Sequence, residues 1–122
     1  MAALSLEQVI EHNRAEHPTW PDDVLRTWCE GKKQLDLNIF ATGTGERMEW
    51  QDVVKAIACP TLLITADPDK GGIITPELAH AIASLNENIT VAHIPDVGHH
   101  IRFADYAMYM DTVKAFLAAL DA

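Results

Sequence analysis

The sequence predicts an α/β protein in which a β-α-β-α unit follows a group of helices. The run from Cys59 to Thr65 is apolar and β-branched without alternation, as in a strand that is buried on both faces of a parallel sheet. The segment from about Asp105 onward carries apolar residues three or four positions apart, which is typical of an amphipathic helix. A helix and a second strand lie between these two segments, so we expect two parallel strands joined by a helical crossover.

The N-terminal part of the chain shows helical patterns that prolines interrupt. Ser5 is a candidate N-cap, and Gln8, three positions later, completes the pattern of a capping box. A second helix is predicted from Asp22 or Asp23 through Cys29, after a breaker that contains two prolines. Residues 35–40 alternate like a strand but have flanks that suit a helix or an irregular connector, so their structure stays open.

The chain divides near residue 50. Residues 41–45 contain two glycines but lack the Lys-Ser/Thr of a phosphate-binding loop, so we interpret them as a connector. The sequence therefore predicts a helical segment over residues 1–45 and an α/β part over residues 46–122. The predicted elements of the second part are a short helix over 50–57, strand 59–65, a loop over 66–75, a helix from Pro76 to Leu85, strand 89–94 and the last helix.

Composition excludes several classes of partner. The chain has 9 basic and 18 acidic residues, a formal net charge of −9, which argues against nucleic acid and against an anionic membrane surface. No apolar run reaches the roughly 18 residues that a membrane-spanning helix needs, and no secretory signal is visible at Met1. We expect a cytoplasmic protein in which Cys29 and Cys59 are buried free thiols.

Polar residues follow both predicted strands. Asp67 and Asp69 come directly after the first strand, and Gly98-His99-His100 follow the turn after the second. Reactive groups gather at the carboxyl ends of parallel strands, and neighbouring strands lie close together. We therefore expect an acid and a histidine to meet there, where a carboxylate can orient an imidazole that acts as a general base.

The second part of the chain resembles the end of the α/β-hydrolase fold. The residues that carry the resemblance are Pro60-Thr61-Leu62-Leu63-Ile64, then Asp69, then Ile94-Pro95-Asp96-Val97-Gly98-His99, followed by an amphipathic helix. The resemblance covers residues 48–120, and residues 4–45 resemble the helical lid of capped members. It implies a catalytic triad for hydrolysis of an ester or related bond of a small molecule, without a cofactor. His99 would be its histidine and Asp69, three residues after Ala66, its acid. Asp67 is the alternative acid, because the following loop is longer than the shortest family versions.

The chain departs from the family pattern at the nucleophile. It has no Gly-x-Ser-x-Gly, and its serines, Ser5 and Ser84, fall in a helix cap and late in the crossover helix. We expect the isolated chain to lack activity and to associate with a second copy or with a complementing N-terminal hydrolase half, because the first strand keeps a bare edge. The alternatives are an inactive truncated relative that acts as a small oligomeric or binding module, and a truncated form of a normal enzyme.

The other chemistry-bearing residues predict no further site. Four histidines show no metal-ligand spacing and are interpreted as solvated or hydrogen-bonded, and two tryptophans are interpreted as packing residues rather than as an acyl pocket. These residues are His12, His17, His80, His93, Trp20 and Trp28.

Overall fold

The computed structural model describes residues 4–41 and 48–120 of the chain. Two compact units are present, Met1–Glu46 and Arg47–Ala122. Residues 42–45 of the predicted connector lie outside the described residues. Among the described residues, no helix is long and apolar enough to cross a lipid bilayer.

The first unit is a pair of packed α-helices followed by a short 3₁₀ helix. The backbone N–H of Gln8 donates to Ser5 Oγ and that of Ser5 to Gln8 Oε1, so the predicted capping box is confirmed. Residues 35–40 are not a strand, because the 3₁₀ helix begins within them. The elements are α1 (Leu6–Glu16), α2 (Asp22–Gln34) and the 3₁₀ helix Leu37–Ala41.

The helix pair buries a small core that includes one polar side chain. Val9, Leu25 and Cys29 are fully buried, at spacings that place them on the facing sides of α1 and α2. Asn13 is buried with them and is satisfied locally: its Nδ2 donates to the carbonyl of Val9 at 2.6 Å, and its Oδ1 accepts from Lys32 Nζ at 3.3 Å. A buried amide with both ends hydrogen-bonded is tolerated where an unpaired one would be costly.

The second unit contains a two-stranded parallel sheet with helices before, between and after its strands. Strand β1 pairs with β2 in a register that opposes Thr61 to Ile89 and Thr65 to His93. The mixed α/β class predicted from the sequence is therefore confirmed. The elements are α3 (Trp50–Ala56), β1 (Thr61–Thr65), α4 (Pro76–Leu85), β2 (Ile89–His93), α5 (Ile101–Ala104) and α6 (Tyr106–Leu120), with a 3₁₀ helix over Pro68–Lys70.

A buried cluster of this unit lies at the carboxyl ends of the strands. Ala66, Ile94 and Val97 are buried there, and half-buried apolar side chains from β1, α5 and α6 pack around them. Thr75 caps α4 by accepting from the backbone N–H of Leu78 at 3.2 Å. The loops that follow β1 and β2 therefore start from a buried cluster.

Two expectations about burial are wrong. Cys59 is exposed rather than buried, because β1 begins only at Thr61 and leaves Cys59 in the preceding connection; Cys29 is buried as expected, and both thiols are free. The first four residues of β1 are half-buried rather than fully buried, because within the described residues β1 has a neighbouring strand on one side only. The apolar stripe of α6 is likewise open, with Leu117 and Leu120 exposed.

Candidate functional site

Two loops meet at the carboxyl edge of the sheet. The acid loop (residues 66–72) follows β1, and the histidine loop (residues 94–100) follows β2. The backbone N–H of Asp67 donates to the carbonyl of Val97 at 3.0 Å, and that of Ile94 donates to the carbonyl of Thr65 at 2.9 Å. The parallel pairing of β1 and β2 therefore continues past the strand ends and brings the loops together.

Gly98 packs closely against the backbone of the acid loop. A Cβ atom at Gly98 would lie 2.2 Å from the carbonyl oxygen of Lys70, a distance that real Cβ contacts do not show. Gly98 directly precedes His99, and Lys70 directly follows Asp69. The need for glycine at position 98 thus arises from contact between the backbones that carry the predicted acid and histidine.

Asp67 uses both carboxylate oxygens within the site. Its Oδ2 accepts from the backbone N–H of Asp96 at 2.7 Å, and its Oδ1 is 2.8 Å from His93 Nε2. The N–H of Asp96 and, to a smaller extent, the hydrogen bond with His93 hold the pKa of the Asp67 carboxyl below its ordinary value. Asp67 is therefore an anchored carboxylate rather than a free one.

Asp96 lies in the turn that leads to Gly98 and His99. It has a left-handed backbone with a φ of 64°, a conformation that aspartate tolerates better than most non-glycine residues. Its carboxylate accepts from Lys70 Nζ at 2.9 Å, and this hydrogen bond raises the pKa of Lys70. The turn is thus held to the acid loop through both its backbone and its side chain.

Asp69 and His99 lie on neighbouring loops and are both exposed. In the part of the chain that the structure describes, no hydrogen bond or ion pair joins them, and the His99 ring instead contacts that of His100, with 5.1 Å between centroids. The structure therefore brings together the loops that carry the predicted pair, and the direct contact between the two side chains stays a prediction.

His93 is the residue that sequence reasoning missed. We interpreted it as a solvated or hydrogen-bonded histidine, and it is hydrogen-bonded, but its partners were not predicted: it pairs with Asp67 and contacts Thr65, whose Oγ1 is 3.0 Å from His93 Nδ1. The signal was present in the strand pattern, because Thr65 and His93 are the last residues of their strands and Asp67 follows two positions after Thr65. Parallel register, unknown from the sequence, was needed to place them side by side.

The fold of the chain resembles that of a solved hydrolase. The chain aligns over 93% of its length with a crystal structure of E-2-(acetamidomethylene)succinate hydrolase, with a TM-score of 0.67 and 13% sequence identity. This chain has part of an α/β-hydrolase fold. It spans 45% of the length of that hydrolase, and at this identity the likeness concerns the fold alone. The sequence matches no protein-family model and no curated protein.

Candidate nucleophiles of the α/β-hydrolase type are not found at this edge within the described residues. Ser84 is in the last turns of α4, where its Oγ donates to the carbonyl of His80 at 2.8 Å, and Ser5 caps α1. Cys59 precedes β1, at the opposite end of that strand from the acid loop. Cys29 is buried in the first unit, and burial raises the pKa of its thiol, which disfavours the reactive thiolate. No group of three or more His, Cys, Asp or Glu side chains within residues 4–41 and 48–120 is placed to hold a metal ion.

The partial α/β-hydrolase fold also leaves an apolar groove of about 630 Å³ in the second unit. The groove lies between one face of the sheet and α6, and it reaches the amino ends of the strands. It is separate from the acid and histidine loops, none of whose residues lines it. Its lining includes Pro60, Leu62, Thr90, Ala92, Phe116 and Leu120.

Proposed function

We propose that this chain supplies the acid and the histidine of an α/β-hydrolase triad, and that the nucleophile is carried outside it. The reaction would be hydrolysis of an ester or related bond of a small molecule. The observation that carries this proposal is the backbone contact between Gly98 and Lys70, which sets the loops of Asp69 and His99 against each other at the carboxyl edge of the sheet. Parallel α/β folds place their reactive groups at that edge.

The hydrogen bonds of the acid loop support Asp69 as the triad acid. Both oxygens of Asp67 are engaged, one by the backbone of Asp96 and one by His93. Asp69 lies on the exposed 3₁₀ turn, directly before the residue that Gly98 contacts. It therefore has the freedom to accept from the His99 ring, whereas Asp67 would first have to give up its present partners. Asp67 remains the alternative acid.

The two side chains would act as they do in other triads. His99 would take the proton from the nucleophile and later deliver it to the leaving group, and Asp69 would orient the ring and stabilise its charged form. The nucleophile and the donors that stabilise the oxyanion account for most of the rate enhancement in such reactions. We therefore expect turnover only after a second polypeptide segment has joined the sheet.

A complementing hydrolase portion is the partner that fits this proposal best. The chain spans 45% of the length of the hydrolase it resembles in fold, and within the described residues β1 and β2 pair only with each other. Each strand thus has an edge on which a further strand can add. A second copy of this chain is the other partner to be tested, and size-exclusion chromatography with light scattering distinguishes a dimer from a complex of two different chains.

Co-expression with the adjoining coding sequence tests the proposed activity. Hydrolysis of p-nitrophenyl acetate should appear in the complex, and His99→Ala or Asp69→Asn should lower kcat by about 10³-fold or more. His80→Ala, on the exposed side of α4, is the matched control for the histidine, and Asp111→Asn, in the middle of α6, is the control for the acid. Equal rates in the His99→Ala and His80→Ala complexes, with both folded, would overturn the proposal.

The apolar groove favours a second candidate function, that of a small binding module without catalysis. Its volume, about 630 Å³, is in the range of small-molecule sites, and apolar side chains from the sheet and α6 form its walls. Titration with an apolar fluorescent probe should then show saturable binding that Ala92→Trp abolishes and His99→Ala leaves unchanged. Binding that is insensitive to Ala92→Trp would place the probe elsewhere and contradict this candidate.

A further inference from the structure

We propose that Asp67, His93 and Thr65 form a positioning clasp that holds the histidine loop against the acid loop and keeps its hydrogen bonds whether His93 is neutral or charged. The clasp is distinct from the Asp69–His99 pair. Its existence depends only on the observed contacts, and its relevance to catalysis rests on the proposed function.

A continuous chain of hydrogen bonds forms the clasp. Thr65 Oγ1 is 3.0 Å from His93 Nδ1, and His93 Nε2 is 2.8 Å from Asp67 Oδ1. Asp67 Oδ2 then accepts from the backbone N–H of Asp96, whose carboxylate binds Lys70 Nζ. The chain thus links the last residues of β1 and β2 to the acid loop and to the turn of the histidine loop.

The chemistry of the three side chains explains why the clasp tolerates a change of charge on His93. A carboxylate only accepts, so His93 Nε2 must carry the proton that it donates to Asp67. Neutral His93 then accepts at Nδ1 from the Thr65 hydroxyl, and charged His93 donates to the same oxygen, because a hydroxyl can rotate to do either. The charged group that contacts this histidine is Asp67, and around Asp67 lie Lys70 of the acid loop and Asp96 of the histidine loop.

These contacts position rather than catalyse. Thr65 is 6% exposed, so its hydroxyl is not available to a substrate although a hydroxyl, an imidazole and a carboxylate stand in a row. Asp67 accepts from the backbone N–H of Asp96, whose φ is 64°. A left-handed non-glycine residue persists where its surroundings hold it, and the turn so held leads directly to Gly98 and His99.

Replacement of Asp67 by asparagine or alanine gives opposite expectations for the clasp. The amide of Asp67→Asn can accept from Asp96 and donate to neutral His93, which then donates through Nδ1 to Thr65. Charged His93 carries protons on both ring nitrogens and so opposes the amide N–H. We therefore expect Asp67→Asn to convert a clasp that is insensitive to His93 into one that opens when His93 becomes charged, and we expect Asp67→Ala to remove it at every pH.

Amide hydrogen exchange of the chain by itself tests this expectation. The protection factor of the Asp96 N–H is measured from pH 5 to pH 8 in the wild type, Asp67→Asn, Asp67→Ala and the control Asp111→Asn. It should stay level in the wild type and control, fall by about 10-fold or more toward pH 5 in Asp67→Asn, and be low throughout in Asp67→Ala. Wild-type protection in Asp67→Ala, or a level profile in Asp67→Asn, would overturn the clasp.

Activity of the complemented hydrolase separates positioning from catalysis. Asp67→Asn at pH 8 should retain most of the wild-type kcat, whereas Asp69→Asn should lose it. An equal loss of kcat in both variants would assign Asp67 to the triad and refute its positioning role. Failure of complementation would reject the proposed function without affecting the exchange experiment, which needs no catalysis.

Discussion

Gly98→Ala is the substitution for which the structure makes the sharpest prediction. The added methyl group would lie 2.2 Å from the carbonyl oxygen of Lys70, and that oxygen belongs to the backbone of the acid loop rather than to a flexible side chain. An ordinary contact of 3.4 Å requires the two loops to separate by about 1.2 Å at this point. The hydrogen bond between Asp67 N and Val97 O lies beside the contact and would be stretched by the same movement.

The expected cost follows from overpacking. Extra methyl groups forced into a well-packed region typically destabilise by about 1–3 kcal/mol, and an immovable backbone oxygen places Gly98→Ala at the upper end of that range. Urea unfolding followed by circular dichroism should therefore show a lower midpoint. Exchange of the Asp67 N–H should be faster, because its acceptor is in the displaced loop.

Two other glycines provide matched controls that separate steric overlap from the remaining effects of adding a methyl group. A Cβ atom at Gly31, in the interior of α2, meets nothing within 4 Å, so Gly31→Ala should stabilise by about 0.5–1 kcal/mol. Gly71 also has open space but a φ of 94°, so Gly71→Ala should cost about 1–2 kcal/mol through backbone strain alone. If Gly98→Ala were as stable as the wild type, the close packing of the two loops would be refuted.

Three further predictions concern single residues. The pKa of Asp67 is lowered in the folded state, so its contribution to stability is present above its ordinary pKa of 3.8 and is lost as the pH falls through the lower folded-state pKa. Asp67→Asn should therefore lose stability near neutral pH. Its stability should also depend less on pH in the acid range, as measured by pH-dependent unfolding. Leu25→Ala should destabilise the first unit by about 2–5 kcal/mol in urea unfolding, and the exposed Leu35→Ala should change little. Thr75→Ala should cost about 1 kcal/mol in urea unfolding by loss of the α4 cap, and Thr75→Ser should restore it.

The secondary structure could be predicted because it depends on local patterns. Ser5 and Gln8 satisfy each other three residues apart, and Thr75 and Pro76 start α4 as the sequence indicates. Such signals require no knowledge of distant residues. The α-helix that was missed, α5, has only four residues and lies where the turn and histidine signals dominate the pattern.

Burial was less predictable because it depends on what covers an element. The apolar run of β1 has the composition of a fully covered strand, but within the described residues one neighbouring strand and a few helices leave it half-buried. The apolar residues that predicted a central strand therefore form a partly exposed face in the structure. Cys59 was misplaced for a related reason, since the strand began two residues later than its apolar run.

The site was predictable as a pair of loops and not as a set of contacts. Proximity of the acid and histidine loops follows from parallel strands, and the contact of Gly98 with Lys70 agrees with it. The partnership of His93 with Asp67 depends on the register of Thr65 and His93, which the sequence does not reveal. The family resemblance preferred Asp69 over Asp67 by its distance from Ala66, and the partnership of Asp67 with His93 is an observation that the sequence could not supply.

Asp67 and Asp69 differ in their hydrogen bonding, and under the proposed function this difference suits them to different roles. A triad acid must reach a histidine that changes charge during turnover, whereas a structural carboxylate is best held by partners that stay constant. Asp67 has such partners in the Asp96 N–H and in a His93 whose second nitrogen is served by a hydroxyl in either charge state. Asp69 has none of these restraints and is exposed beside the loop of His99. Under the proposed function, a histidine loop that the clasp already holds would present its base to a nucleophile from another segment without first having to be positioned.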